Sequence, residues 1–164
     1  MKKGLIKELE EFINEMLDVS GKIALENFRE IREMSLKGDS SPVTKTDIKI
    51  EQYIRTKILE NYPNHKIIGE ELDFVDGTEN ITWYIDPIDG TRSFVAGKHD
   101  FGTLLAVVMD EEIIGGVVDC PALGERWTSF HPKQTKVNQV ITQCKAVEDL
   151  SNAVMATTSR HEFG

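Results

Sequence analysis

One stretch, Trp83-Tyr84-Ile85-Asp86-Pro87-Ile88-Asp89-Gly90-Thr91, limits what this chain can become more than any other. Its aromatic and β-branched start predicts a strand. Pro87 has no N–H to give and is expected to stop the ladder. Asp89 follows three residues after Asp86, and then come Gly90 and a hydroxyl. Gly90 can adopt backbone angles that other residues avoid, which lets the chain approach a ligand closely. A helix starting near Thr91 would offer free N–H groups to an anion. Hard cations such as Mg²⁺ take oxygen ligands and share them with a substrate phosphate, so two carboxylates on one turn suit a metal–phosphate site. Asp-Pro and Asp-Gly also serve as plain turns, and spacing alone leaves both readings open.

Upstream, Leu5, Leu9, Phe12, Ile13, Met16, Ile23, Ala24, Phe28 and Ile31 recur at helical spacing. They predict a long amphipathic helix that covers a sheet, with a break near Ser20-Gly21. After a loop at 37–42, Thr46 or Asp47 is expected to cap a second helix that runs through Tyr53, Ile54 and Ile58 and stops near Pro63. On this reading Asp47 is a cap and Glu51 a solvated side chain. Lys66-Ile67-Ile68-Gly69 reads as a short strand ending in Glu70-Glu71, and residues 72–81 as a polar surface loop. Strands follow at 104–109, 113–119 and 126–130, then a hairpin containing Val140-Ile141-Thr142 and one more strand at 153–158. Short turns between strands imply antiparallel pairing. Helices first and strands after predict an α+β fold, two N-terminal helices packed on an antiparallel sheet.

A net charge of −9 excludes a general nucleic-acid or anionic-membrane surface, which would need a basic patch. It is compatible with a phosphate substrate, because bound divalent cations invert the local potential. No apolar run nears the roughly 20 residues needed to span a bilayer. Cys120 and Cys144 form neither a disulfide framework nor a zinc spacing, and reduced thiols point to a cytoplasmic protein. His65, His99, His131 and His161 show no metal spacing and read as ordinary residues.

Three segments together carry a family resemblance. Asp86-Pro87-Ile88-Asp89-Gly90-Thr91 resembles the signature of the inositol monophosphatase family of Mg²⁺-dependent, lithium-sensitive phosphatases. Thr46-Asp47 with Glu51 resembles its Thr-Asp-x-x-x-Glu segment, and Gly69-Glu70-Glu71 its Gly-Glu-Glu segment. Ser93-Phe94-Val95-Ala96-Gly97, Phe101-Gly102-Thr103-Leu104 and Leu123-Gly124-Glu125-Arg126-Trp127 look like the histidinol-phosphate phosphatases of this family. Inositol-specific relatives have Thr-Asn-Phe where this chain has Arg92-Ser93-Phe94.

The resemblance implies hydrolysis of a small phosphate monoester, of the histidinol phosphate or inositol phosphate class. It implies that Glu70, Asp86 and the Ile88 carbonyl hold one Mg²⁺, and that Asp86 and Asp89 hold a second. Thr91, paired with Asp47, would position the attacking water, with Glu70 counted among the catalytic residues and Glu71 as a supporting acid. Gly90 and Thr91 would hold the phosphate through backbone N–H groups. Glu125 and Arg126 are candidates for substrate recognition, or else an exposed hairpin pair beside a core Trp127. Lys37 stands where a loop lysine approaches the metals in some relatives. The family pattern continues into a second α/β domain with a Trp-Asp-x-x-Ala-Gly segment, which this sequence does not contain. The expected division is therefore an N-terminal domain over 1–146 and the start of a cut second domain over 147–164, with weak metal binding and little activity for the 164-residue chain alone. The expected partners are a phosphorylated metabolite and a second copy of the chain, as a homodimer, without nucleic acid or membrane. The alternative is a non-catalytic interaction or regulatory module, as some bacterial relatives act in transcription complexes.

Overall fold

A computed structural model describes residues 2–30, 35–36, 42–131 and 134–154. The order is α1 (Lys2–Asn27), β1 (Ser35–Leu36), β2 (Pro42–Val43), α2 (Lys45–Asn61), β3 (Lys66–Gly69), β4 (Ile81–Asp89), α3 (Thr91–Val95), β5 (Gly102–Met109), β6 (Glu112–Cys120), β7 (Glu125–His131), β8 (Gln134–Val137) and β9 (Val140–Thr142). Among the described residues, β3 to β9 form one sheet in sequence order, and β1 pairs with β2 apart from it. The α+β class is the expected one. The sheet is mixed, however, because β3 runs parallel to β4 while every later pair is antiparallel. Residues 70–80 are too long for a hairpin turn. They double back through a bridge between Ile67 and Val75 and so bring β4 in alongside β3 in the same direction.

The helices cover one face of the sheet. Leu9, Ile13 and Leu17 of α1 and Ile50, Ile54 and Ile58 of α2 are fully buried against Trp83 and Val107. Each such side chain contributes about 1.5–3 kcal/mol when buried. Their spacings of three and four are the ones that predicted the helices. The opposite face stays open: Tyr84 of β4, Val118 of β6 and Trp127 of β7 are all more than a third exposed.

Two expected details differ. No break occurs at Ser20-Gly21, since α1 is continuous to Asn27. Gly21 is there for room: a Cβ on it would lie 3.2 Å from Asp119 Oδ2 and 3.3 Å from Pro121 Cβ, where the helix crosses the end of β6. The cap of α2 is Thr44, not Thr46 or Asp47. Of the other expectations, Lys37, His161, Ile31 and most of the strand at 153–158 lie outside the described residues.

His65 is one of the four histidines read as ordinary, and its place in the core is specific. The Trp83 indole N–H donates to its Nδ1 at 2.9 Å, and Tyr62 stacks on its ring at 4.8 Å. An indole nitrogen only donates, so Nδ1 must be unprotonated. Nε2 then carries the hydrogen toward Glu79 Oε2, 3.4 Å away. Burial holds the imidazole below its usual range, against a partial upward pull from Glu79. A depressed histidine contributes stability that is complete above its ordinary value and lost as pH falls through the folded one. Stability against thermal unfolding is therefore expected to fall below about pH 6.5. His65→Phe should flatten that part of the profile, and an unaltered slope would show that another group governs it.

Candidate metal and phosphate site

The site begins with an irregularity in β4. Asp86 pairs with Leu104 and Asp89 with Gly102, so three steps along β4 match two along β5. One extra residue is inserted at Pro87-Ile88, a β-bulge. The ladder therefore passes the proline instead of stopping there, which corrects the expectation from sequence. The bulge also decides facing. Residues three apart on a regular strand point to opposite faces, but partners of Leu104 and Gly102 share one face. Asp86 and Asp89 are thus brought to the same side, the open one. The Pro87 carbonyl accepts from Thr103 Oγ1 at 2.9 Å, and the Ile88 carbonyl accepts from Thr91 Oγ1 at 3.0 Å.

Gly90 then turns the chain at φ 83° into α3. A Cβ there would meet the Asp100 carbonyl at 2.8 Å, so only glycine fits. The single turn of α3 is held by Phe94, whose ring meets Phe101 at 4.7 Å and Phe28 at 5.8 Å. Thr91 is fixed in this way at the start of α3. Its hydroxyl lies 3.3 Å from Asp47 Oδ1.

Asp47 is itself clamped. Thr44 opens α2 with a capping box in which its N–H donates to Asp47 Oδ2 at 3.0 Å and its hydroxyl donates to the same oxygen. One oxygen of Asp47 serves the helix end and the other faces Thr91. Burial raises the Asp47 carboxyl above its ordinary value, with Thr44 pulling it back down. Thr44 is a contributor that the sequence reading missed, although Thr44-Lys45-Thr46-Asp47 carries the capping-box spacing.

Asp86 is the most perturbed group. Burial first, then the charge of Glu70 and a hydrogen bond with it, then Asp89 and Asp47, push its carboxyl up to about 8. Oδ1 of Asp86 is buried with no hydrogen-bond partner. A buried polar atom left unpaired is costly and calls for an explanation. Glu70 and Asp86 line a cavity of about 630 Å³ on the open face, with Tyr84, Leu104, Val118 and Trp127 around it. The Glu70 N–H is tied to the Ile85 carbonyl at 3.1 Å, so the end of β3 is laced to β4 one residue before Asp86. Among the described residues no three His, Cys, Asp or Glu side chains already stand as a set of ligands around one point. Burial first, and the neighbouring carboxylates after it, favour the protonated form of Asp86. The oxygen-only donor set and the orphaned Oδ1 fit a hard cation.

The remaining candidates separate by strand parity. Glu125 and Trp127 face the open side, where Glu125 Oε2 accepts from the Trp127 indole at 3.1 Å. Burial pushes the Cys120 thiol up, with smaller contributions from Asp119, Glu125 and Asp89 in that order. Arg126, between Glu125 and Trp127, points the other way. It donates to Asp119 Oδ1 at 2.8 Å, to Asp18 Oδ1 at 2.9 Å and to the Asn14 carbonyl at 3.0 Å, which ties β7 to α1. The structure thus brings Glu70, Asp86, Asp89 and Asp47 within electrostatic reach of one another with Thr91 at Asp47, while Glu125 does not line the cavity of Glu70 and Asp86 and Arg126 stays on the helix side. Glu51, read as solvated, is fully buried. Its carboxylate accepts from the Glu71 N–H at 2.8 Å, the Leu72 N–H at 3.2 Å and Arg55 Nε at 2.8 Å.

Comparisons with known proteins place the chain among its relatives. The profile of the inositol monophosphatase family matches residues 6–162. The chain is 38% identical over 152 residues to the chloroplastic bifunctional phosphatase IMPL2 of Arabidopsis thaliana, covering 92% of this chain and 44% of that one. It is 32% identical over 147 residues to a histidinol-phosphatase of Chlorobaculum parvum, covering 89% and 57%. The solved structure of the extragenic suppressor protein suhB from Bartonella henselae shares the fold, with a TM-score of 0.83 at 23% identity over 87% of this chain and 57% of that one. The chain spans about half the length of the curated relatives it matches. With a profile matched along nearly its whole length, the chain belongs to the inositol monophosphatase family.

Proposed function

We propose that this chain supplies the acid half of a Mg²⁺-dependent phosphomonoesterase acting on a small phosphorylated metabolite of the histidinol phosphate or inositol phosphate class. The observation that carries the reading is the buried, unpartnered Asp86 Oδ1 among Glu70, Asp89 and Asp47. Glu70, Asp86 and the Ile88 carbonyl would hold one Mg²⁺, and Asp86 with Asp89 a second. Bound Mg²⁺ would supply positive charge against the charge that develops on phosphoryl oxygens. The rest falls to the chain. The Thr91 hydroxyl has one hydrogen and two lone pairs. While it donates to Asp47, its lone pairs can accept a hydrogen bond from the attacking water and aim that water at phosphorus; a proton taken from the water is balanced by the hydroxyl hydrogen passing to the Asp47 carboxylate. Backbone N–H groups of Gly90 and Thr91 would be offered to phosphate oxygens, and Glu125 to a substrate amine. Glu71 supports this arrangement from beside Glu70.

A ligating carboxyl must be ionised, so metal uptake releases a proton wherever the carboxyl is protonated beforehand. With Asp86 pushed up to about 8, Mg²⁺ affinity should climb as pH rises from 6 to 8. Titration calorimetry at pH 7 in buffers of different ionisation heat should register close to one proton released per binding event. A heat that does not depend on the buffer would count against the site. A substrate panel led by histidinol phosphate and inositol phosphate then assigns the class.

The open sheet face, with Tyr84, Val118 and Trp127 exposed, favours a second reading as an interaction module. Mass in solution separates the two: an oligomer indifferent to Mg²⁺ supports the module.

A further inference from the structure

Glu51 and Arg55 form a buried ion pair that takes no part in the chemistry above. We propose that Glu51 is a positioning residue of the acid site: its carboxylate, clamped by Arg55, fixes the turn at 69–73 and so sets where Glu70 presents its own carboxyl. The inference rests on the reading of Glu70 as a metal ligand.

Both oxygens of Glu51 are used on that turn. Oε2 takes the Glu71 N–H and Oε1 the Leu72 N–H, the two amides that directly follow Glu70. Arg55 completes the brace. Its Nε binds Glu51 Oε1, while its two terminal nitrogens donate to the carbonyls of Asp73 at 2.6 Å and Leu72 at 2.8 Å. On its other side, Glu70 is tied by its own N–H to β4. Gly69 makes the approach feasible, since a Cβ there would fall 1.9 Å from Glu51 Oε1 and 2.7 Å from an Arg55 nitrogen. A buried ion pair is poor value as a stabiliser, because desolvation offsets most of the attraction and an apolar pair of similar volume often does as well. What an apolar pair cannot do is hold four backbone groups of an irregular turn in one geometry. Asp47 and Glu51 also lie one helical turn apart on α2, on the same side of the helix. The first carboxylate reaches Thr91 and the second reaches the turn behind Glu70. One rigid helix thereby sets the distance between the water-orienting pair and a metal ligand.

The test uses the 164-residue chain and Mg²⁺ as the probe. Glu51→Gln is expected to weaken Mg²⁺ binding 10–100-fold, the usual effect of losing a group that orients a ligand. Arg55→Lys, which keeps the charge but loses the fork to the two carbonyls, should give a smaller loss in the same direction. It carries the test should Glu51→Gln not fold. The control is Ile58→Val, a core change on the same helix, compared at equal distance from each variant's unfolding midpoint. Amide exchange of Glu71 and Leu72 is followed in parallel and should accelerate in the first two variants and not in the control. Wild-type affinity in both brace variants, or unchanged protection of those two amides, overturns the proposal while leaving the metal site standing. Wild-type protein that takes up no Mg²⁺, or an Asp86→Asn variant that takes it up equally well, overturns the site itself and the positioning role with it.

Discussion

Asp86→Asn is expected to abolish Mg²⁺ binding and, wherever the wild-type protein turns over a phosphomonoester, to cut the rate by at least about 10³-fold. Losses of groups that merely orient a ligand cost 10–100-fold, and Asp86 is the carboxylate shared by both proposed ions. The same substitution should stabilise the metal-free fold. A carboxyl raised above its ordinary value contributes stability that is complete below that value and lost as pH climbs through the folded one. For Asp86 the window runs from 3.8 to about 8. Asparagine does not ionise and escapes this loss. Metal-free Asp86→Asn should therefore melt higher than wild type at pH 8, by at least about 2–4 °C, the shift that 1 kcal/mol produces at this chain length. At pH 4 the two should melt together. A gain in stability coupled to a loss of function is the pattern of a functional site held under strain. Near-normal turnover in the variant refutes the assignment.

Thr91→Val is expected to lower kcat by about 10²–10⁴-fold, the usual worth of a positioned proton acceptor, while Mg²⁺ affinity stays within a few-fold. Valine keeps the β-branch and the volume. It removes the hydroxyl's hydrogen bonds to Asp47 and to the Ile88 carbonyl, and the lone pairs meant for water. Thr91→Ser, which restores the hydroxyl, should recover most of the rate. The signature is a fall in kcat without a shift in the Mg²⁺ dependence. A comparable drop in both would mean that Thr91 supports the Ile88 carbonyl, which also accepts from it, more than it orients water.

The helices were legible because their apolar residues recur at spacings of three and four, and the packed core uses those same residues. The strand leading into Asp86 was legible for a similar reason. The bulge was not, because its extra residue shows only in register against β5, a long-range relation. Parity did hold information about Arg126: flanked by Glu125 and Trp127 on one strand, it had to face the opposite side from both. Glu51 was misread because glutamate is seldom buried unless paired, and Arg55, one turn along the same helix, was the available clue. The cap of α2 was misplaced by two or three residues because three hydroxyl or carboxyl side chains compete there, and only the structure shows which residue accepts the helix N–H groups.

The register shift in β4 has a consequence for how this segment can vary. The bulge ties function to the number of residues between Asp86 and Asp89, not only to their identity. Deleting one residue would leave the two aspartates on the same face, two apart on an even pleat, but would remove one of the Pro87 and Ile88 carbonyls that bind Thr103 and Thr91; inserting one would turn Asp89 toward the helix side. Length is therefore constrained in both directions between the two aspartates: a residue gained costs their shared face, and a residue lost costs a carbonyl that anchors a neighbouring hydroxyl.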